Sequence, residues 1–217
     1  MDLYIGNKNY SSWSLRGWLM LKAFDVPFQE HQLALFSEEF YATLKAFNCA
    51  DKVPLLKDGD VIVWESLAIC EYINERYLEG AGWPSDVAAR AHARAIANEM
   101  HAGFNALRNE MPMNCRALRK IEASEQAQND VRRIEALWAS LRSQYASQGD
   151  YLFGAFSIVD AMFAPVVLRF RTYGVSLSPA AQSYADAMIA HPAMQAWLDA
   201  ALQETDIVPE DEAGEPV

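Results

Sequence analysis

Three short stretches carry residue types that could do chemistry. Glu65-Ser66 stands directly before L-A-I-C-E-Y-I-N-E-R-Y, a helical pattern, and Ser66 has the side chain of a natural N-cap. A helix N-terminus offers unpaired N–H donors and a partial positive charge, which suits a small carboxylate. Ser11 and Ser12 occupy the corresponding cap positions before W-S-L-R-G-W-L-M-L-K-A-F. In residues 100–114, His101, Asn105 and Arg108 fall at helical spacing on one face. Of these, Arg108 is the residue best suited to touch an acidic substrate. Gly103, inside that pattern, costs about 1 kcal/mol against alanine and implies close packing.

Between the first two stretches lies V-P-L-L-K-D-G-D-V-I-V-W. Asp58-Gly59 is a hairpin signal, and the β-branched run after it predicts a strand. Pro54 cannot donate to a sheet ladder, so it must open its strand or face away from a neighbour. A cis Val53-Pro54 bond would turn the chain and aim the Val53 backbone outward. About 5–6% of such bonds are cis, so residue type alone favours trans.

The elements that must position these residues change character along the chain. The pattern predicts β-α-β-α-β-β-α over residues 1–79, with the first two strands parallel across a helical crossover. Residues 79–86, E-G-A-G-W-P-S-D, are a break. Residues 86–217 then read as all helix, closed by an acidic, proline-bearing tail from Gln203 that is expected to be loose. Pro165 is expected to kink or restart the helix that contains it. Ser157 and Asp160 have capping-box spacing.

Bulk composition narrows the function classes. Of 217 residues, 52% are hydrophobic and 22% charged, which is enough for a proper core. A net charge of −11 argues against nucleic-acid binding. No apolar run approaches the roughly 20 residues that cross a bilayer, and no signal segment opens the chain. Cys49, Cys70 and Cys115 have no ligand spacing, so no metal site is expected and a reduced, cytoplasmic setting is.

Ser11-Ser12-Trp13-Ser14-Leu15-Arg16, Lys52-Val53-Pro54-Leu55-Leu56 and Glu65-Ser66-Leu67-Ala68-Ile69 together resemble the glutathione S-transferase superfamily. Phe156 to Ala161 resembles that family's helical-domain capping box, and His191 to Leu198 its closing helix. The resemblance implies a thioredoxin-like α/β N-terminal domain followed by an all-α C-terminal domain. It also implies a homodimer that joins glutathione to a small-molecule electrophile or peroxide. It makes Pro54 cis, so that the Val53 backbone meets the cysteinyl part of glutathione like an added strand. Ser66 and Glu65 would hold the γ-glutamyl end, with Lys52 near the tripeptide.

A thiol with a pKa of about 8.5 needs help to ionise. The family keeps its activating residue ahead of the first helix, where Ser11 and Ser12 stand. A hydroxyl that donates to sulfur favours the thiolate. Ser11 matches the zeta-like pattern, with Ser12 close behind. The alternative is that both serines merely cap the helix. Trp13, Phe104, Arg108 and Met111 would line the electrophile pocket, although core packing is the more frequent fate of bulky residues. Arg16 is expected to pair with an acidic residue between domains. The Ser-Ser start resembles the zeta class, which includes maleylacetoacetate isomerases. That class usually has cysteine where this chain has Trp13, which weighs against isomerase activity. A binding protein without catalysis is the third reading.

Overall fold

Four short strands and three helices form residues 2–77 in the computed structural model, which describes residues 1–217. They run β1 (Asp2–Ile5), α1 (Ser12–Ala23), β2 (Gln29–Gln32), α2 (Glu38–Lys45), β3 (Leu55–Asp58), β4 (Val61–Trp64) and α3 (Ser66–Tyr77). The sheet order is β2-β1-β3-β4, with β1 and β2 parallel and the other pairs antiparallel. The period-two alternation of the strands divides two cores. Leu3, Ile5 and Leu56 enter the main core with α1 and α3. Leu55 and Tyr4 pack with Phe40 and Leu44 of α2. Gly59-Asp60 forms the hairpin turn, and Lys57 and Asp58 belong to β3.

The helical domain comprises α4 (Val87–Ala102), α5 (Asn105–Glu110), α6 (Glu125–Tyr145), α7 (Ile158–Thr172), α8 (Pro179–Ala190) and α9 (Pro192–Gln203). This is the expected thioredoxin-like α/β domain followed by an all-helical one. A two-residue strand pair, β5 (Arg119–Lys120) with β6 (Glu215–Pro216), is an exception to all-helix. No helix is long and apolar enough to cross a membrane.

Three local expectations are corrected. The helix after Val87 stops at Ala102, and Phe104 adopts a left-handed conformation at φ 55°. His101 and Arg108 therefore lie on different helices. A Cβ on Gly103 would come within 2.6 Å of the Glu99 carbonyl, so the glycine serves the exit from α4. Pro165 lies inside an unbroken α7. That helix is buried on nearly every face, so tertiary packing outweighs the lost hydrogen bond. The acidic tail folds back onto the N-terminal domain, because its carboxylates meet buried backbone donors described below.

The capping box at Ser157 forms. Asp160 accepts from Ser157 N–H at 2.8 Å, Ser157 Oγ–H at 2.8 Å and Leu152 N–H at 3.1 Å. Burial pushes its carboxyl up to about 6, against the pull of these donors. Asp160→Ala strands two buried N–H groups. It is expected to lower the unfolding free energy by about 2–4 kcal/mol, read from urea denaturation.

Candidate active site

The loop from Gly6 to Ser11, between β1 and α1, is buried throughout. Its backbone polar groups must therefore find protein partners. Gly6 N–H donates to Ser14 Oγ at 3.1 Å, and Ser11 N–H to the Asn7 carbonyl at 2.8 Å. Lys8 and Asn9 N–H both donate to the Glu204 carboxylate, at 2.6 and 2.9 Å. Trp197 Nε1 of α9 donates to the Lys8 carbonyl at 2.9 Å. Asn9 Nδ2 donates to Asn114 Oδ1, and its Oδ1 accepts from Arg116 N–H. The loop that delivers Ser11 and Ser12 is thus held by the helical domain and the tail.

The serines open onto a cleft of about 580 Å³. Ser11 Oγ lies 2.7 Å from Ser14 Oγ, while Ser12 Oγ accepts from Arg169 Nη2 at 3.2 Å. Across the cleft stand Lys52, Val53, Pro54, Glu65 and Ser66. The Val53-Pro54 bond is cis, the minority state that residue type alone disfavours. Glu65 sits at φ 69°, a left-handed conformation rare outside glycine, and caps α3. Ser66 is therefore the first helical residue and not the N-cap. Freed from capping, its hydroxyl is buried and has no hydrogen-bond partner. It faces the cleft where the unpaired N–H groups of α3 begin.

Cations gather on the helical side. Arg108 Nη1 donates to the carbonyls of His101 at 3.3 Å and Gly103 at 3.2 Å. Arg169 Nη1, on α7, donates to the Arg108 carbonyl at 2.9 Å and to that of Met111. The guanidinium carbons of Arg16 and Arg108 lie 4.3 and 4.6 Å from the Trp13 ring centroid. None of the three forms a salt bridge. Arg16 is fully buried, and its Nε and Nη1 have no partner. Burial first, then repulsion from Arg108 and Arg169, brings Arg16 down to about 9. Burial and Arg108 bring Arg169 down to about 10, so both stay charged at neutral pH. The expected acidic partner of Arg16 does not exist; an aromatic face takes that place. His101 approaches Glu65 at 3.9 Å, but burial and Arg16 lower its pKa, which weakens that pairing.

Of the residues singled out by sequence, Ser11, Ser12, Trp13, Lys52, Val53, Pro54, Glu65, Ser66 and Arg108 line one cleft. Phe104 and Met111 do not. Both are buried in the main core, Phe104 because the helix breaks there and turns its ring inward. Apolar lining comes instead from Leu35, Phe36, Phe40, Tyr41 and Trp64. Sequence reasoning missed Arg169 and Asp211. Arg169 carried a readable signal, a lone cation in the apolar run F-A-P-V-V-L-R-F. Asp211 carried none, because an acidic tail looks solvated.

Comparisons with known proteins identify the family and the fold. Residues 10–76 match the model of the glutathione S-transferase N-terminal domain, and residues 122–200 that of the C-terminal domain. The chain is 32% identical over 185 residues to a probable maleylacetoacetate isomerase of Caenorhabditis elegans, covering 82% of each. The maleylacetoacetate isomerase of Anaeromyxobacter dehalogenans, solved with glutathione in its active site, is 26% identical at a TM-score of 0.60. That match covers 90% of this chain and 93% of the other. A zeta-class bacterial maleyl pyruvate isomerase shares the fold at a TM-score of 0.71 and 24% identity. It covers 95% of this chain and all of that one.

Glu204 is the hinge of the loop's support. Glu204→Ala leaves the buried N–H groups of Lys8 and Asn9 without an acceptor, a loss of about 2–3 kcal/mol. Hydrogen–deuterium exchange is expected to accelerate across residues 8–12 before the rest of the sheet. Exchange at the wild-type rate would show that the carboxylate is dispensable to the loop.

Proposed function

Because the chain belongs to the glutathione S-transferase superfamily and is zeta-like within it, we propose that it is a glutathione transferase for small, carboxylate-bearing electrophiles. One juxtaposition carries the reading. The cleft joins an unpartnered serine at a helix N-terminus to two hydroxyls, one of them held by Arg169, and to guanidinium groups that form no salt bridge.

The residues fit the tripeptide. The γ-glutamyl carboxylate meets the Ser66 hydroxyl and the first N–H groups of α3. Glu65 stands near the γ-glutamyl amine, and Lys52 near the tripeptide's other end. The Val53 backbone pairs with the cysteinyl residue as an added strand would. At the sulfur, Ser11 is the donor. Its present acceptor, Ser14, is a neutral hydroxyl, and a thiolate accepts more strongly. Ser14 can then reverse and donate to Ser11 Oγ, so the Gly6–Ser14–Ser11 chain polarises toward sulfur. Ser12 conveys the charge of Arg169 to the same place. The N-terminus of α1 adds its own positive potential.

The electrophile enters from the side of Trp13, Arg108 and Arg169. Uncompensated guanidinium groups favour an anion there, since both bind a carboxylate more strongly than water-exposed lysines do. Thiolate attack on an electron-poor carbon follows. A second reading, cis–trans isomerisation by addition and elimination of glutathione, is favoured by the identity to the nematode isomerase. It consumes no glutathione, so following the free thiol during turnover of maleylacetone separates the two. The proposal includes a cytoplasmic homodimer. Exposed Trp64, Tyr77 and Val87 supply apolar surface for the contact.

Ser11→Ala is expected to lower kcat by about 10²-fold and to raise the pKa of bound glutathione, with tripeptide affinity kept within about two-fold. Ser12→Ala should lose less. The ultraviolet absorbance of the thiolate reads the pKa directly. Full activity in both variants would remove the serines from the reaction. Arg108→Gln is expected to raise KM for a carboxylated electrophile by about ten-fold or more, and KM for neutral chlorodinitrobenzene by less than about three-fold. Equal effects on the two electrophiles would end the anionic-substrate reading.

A further inference from the structure

The tail contributes a group to the cleft that the proposed reaction has not yet used. Asp211 closes a short 3-10 turn, Pro209–Asp211, and lines the same cavity as Ser11, Ser12, Arg108 and Arg169. Its position is fixed by its neighbour. The Glu212 carboxylate accepts from Tyr10 Oη–H at 2.5 Å and Asn114 Nδ2 at 3.0 Å, and pairs with Arg119. The β5–β6 pair anchors the chain just beyond. Asp211 itself makes no side-chain hydrogen bond and no ion pair, so its carboxyl is free to meet a ligand.

We infer that Asp211 is a catalytic residue, the acid that protonates the electrophile's carbon skeleton after glutathione has added. The inference rests on the glutathione-addition reading above. In an addition to a conjugated carbonyl compound, thiolate sulfur forms a bond to the β-carbon. The C=C π pair moves toward the carbonyl and leaves an enolate. The enolate takes its proton from the Asp211 carboxyl. The carboxylate so formed regains a proton from solvent, which had received the one released by the thiol. The sum is glutathione added across one double bond, with no oxidant or reductant.

The surroundings suit a proton donor. Burial first, and the adjacent Glu210, push the Asp211 carboxyl up, while Arg169 pulls it down, to about 6 overall. Arg169 of α7 and Tyr173 just past its end face it, Glu210 lies beside it in the tail, and Arg108 stands on the cleft wall. A carboxyl near 6 keeps a protonated fraction at neutral pH and still gives up its proton readily.

Two electrophiles separate this role from a structural one. Chlorodinitrobenzene reacts by substitution: the C–S bond forms, chloride leaves, and no carbon needs a proton. Net addition to maleylacetone, read as loss of free thiol, leaves an enolate carbon that must be protonated, whereas isomerisation expels the thiolate from the enolate and needs no such proton. Asp211→Asn is expected to slow this thiol-consuming addition by about ten-fold or more and to remove an ionisation near 6 from its pH profile; maleylacetone turned over by the wild type without loss of thiol would overturn the role. Chlorodinitrobenzene turnover is expected to change far less than the maleylacetone rate and to keep the shape of its pH profile. Asp211→Glu should restore part of the maleylacetone rate. An equal loss on both electrophiles, or an unchanged pH profile, overturns the assignment to Asp211 alone. Wild-type protein that turns over neither electrophile overturns the glutathione reading, and this inference with it.

Discussion

A buried loop cannot leave its backbone polar groups unpaired, and that constraint shapes this molecule. Residues 6–11 form neither helix nor strand, yet every one of them is buried. An orphaned N–H in such a place costs about 1–3 kcal/mol. Two of the N–H groups go to a single carboxylate, Glu204, some two hundred residues along the chain. The Lys8 carbonyl goes to the Trp197 indole. Asn7 reaches Asp206 and Leu35, and Asn9 reaches Asn114 and Arg116. The helical domain is therefore more than a neighbour of the sheet. It supplies the hydrogen bonds that let the serine-bearing loop exist in one conformation.

The same packing places three buried or half-buried cations, Arg16, Arg108 and Arg169, where they form no salt bridge. A charge moved out of water needs pairing or hydrogen bonds. Arg108 and Arg169 find backbone carbonyls, and Arg169 also finds Ser12. Arg16 finds chiefly the face of Trp13. Carbonyl dipoles compensate a guanidinium without cancelling its charge, and Asp211 is a carboxyl of the cleft that feels the charge of Arg169. Trp13 matters beyond its bulk. Both guanidinium carbons, of Arg16 and Arg108, lie within 4.6 Å of its ring centroid, and Arg16 is lowered by burial first and then by Arg108. An aromatic ring in reach of two cations attracts both. A cysteine at this position could not.

Sequence patterns exposed the fold wherever a local rule governed it. Strand alternation gave β1 and β3 their two faces. Asp58-Gly59 gave the hairpin, and Ser157 with Asp160 gave the start of α7. The local rules failed where tertiary contacts took over. Pro165 lies within a helix because α7 is enclosed. Ser66 ceded the cap to Glu65 because the chain enters α3 with a positive φ. Phe104 and Met111 had the bulk of pocket residues, but the break at Gly103 turned them into the core. In the site, motif spacing found most of the wall formed by Lys52 to Pro54 and Glu65-Ser66. Arg169 and Asp211 were hidden because their importance depends on what they face, not on what flanks them.

The tail shows this dependence most plainly. Glu204, Asp206, Asp211 and Glu212 are ordinary solvated acids by composition, and the chain's net charge of −11 makes such a tail unremarked. Folded, they hold the loop and close the cleft. The regions that match family models, residues 10–76 and 122–200, exclude Lys8 and Asn9 at one end and Glu204 to Glu212 at the other. The serine loop is thus held from both sides of that boundary, by Ser14, Leu35 and Trp197 within the matched regions and by Asn114, Arg116, Glu204 and Asp206 outside them. A sheet domain folded alone would lack Glu204, Trp197 and Arg169, and with them the partners that hold Lys8, Asn9 and Ser12 in place.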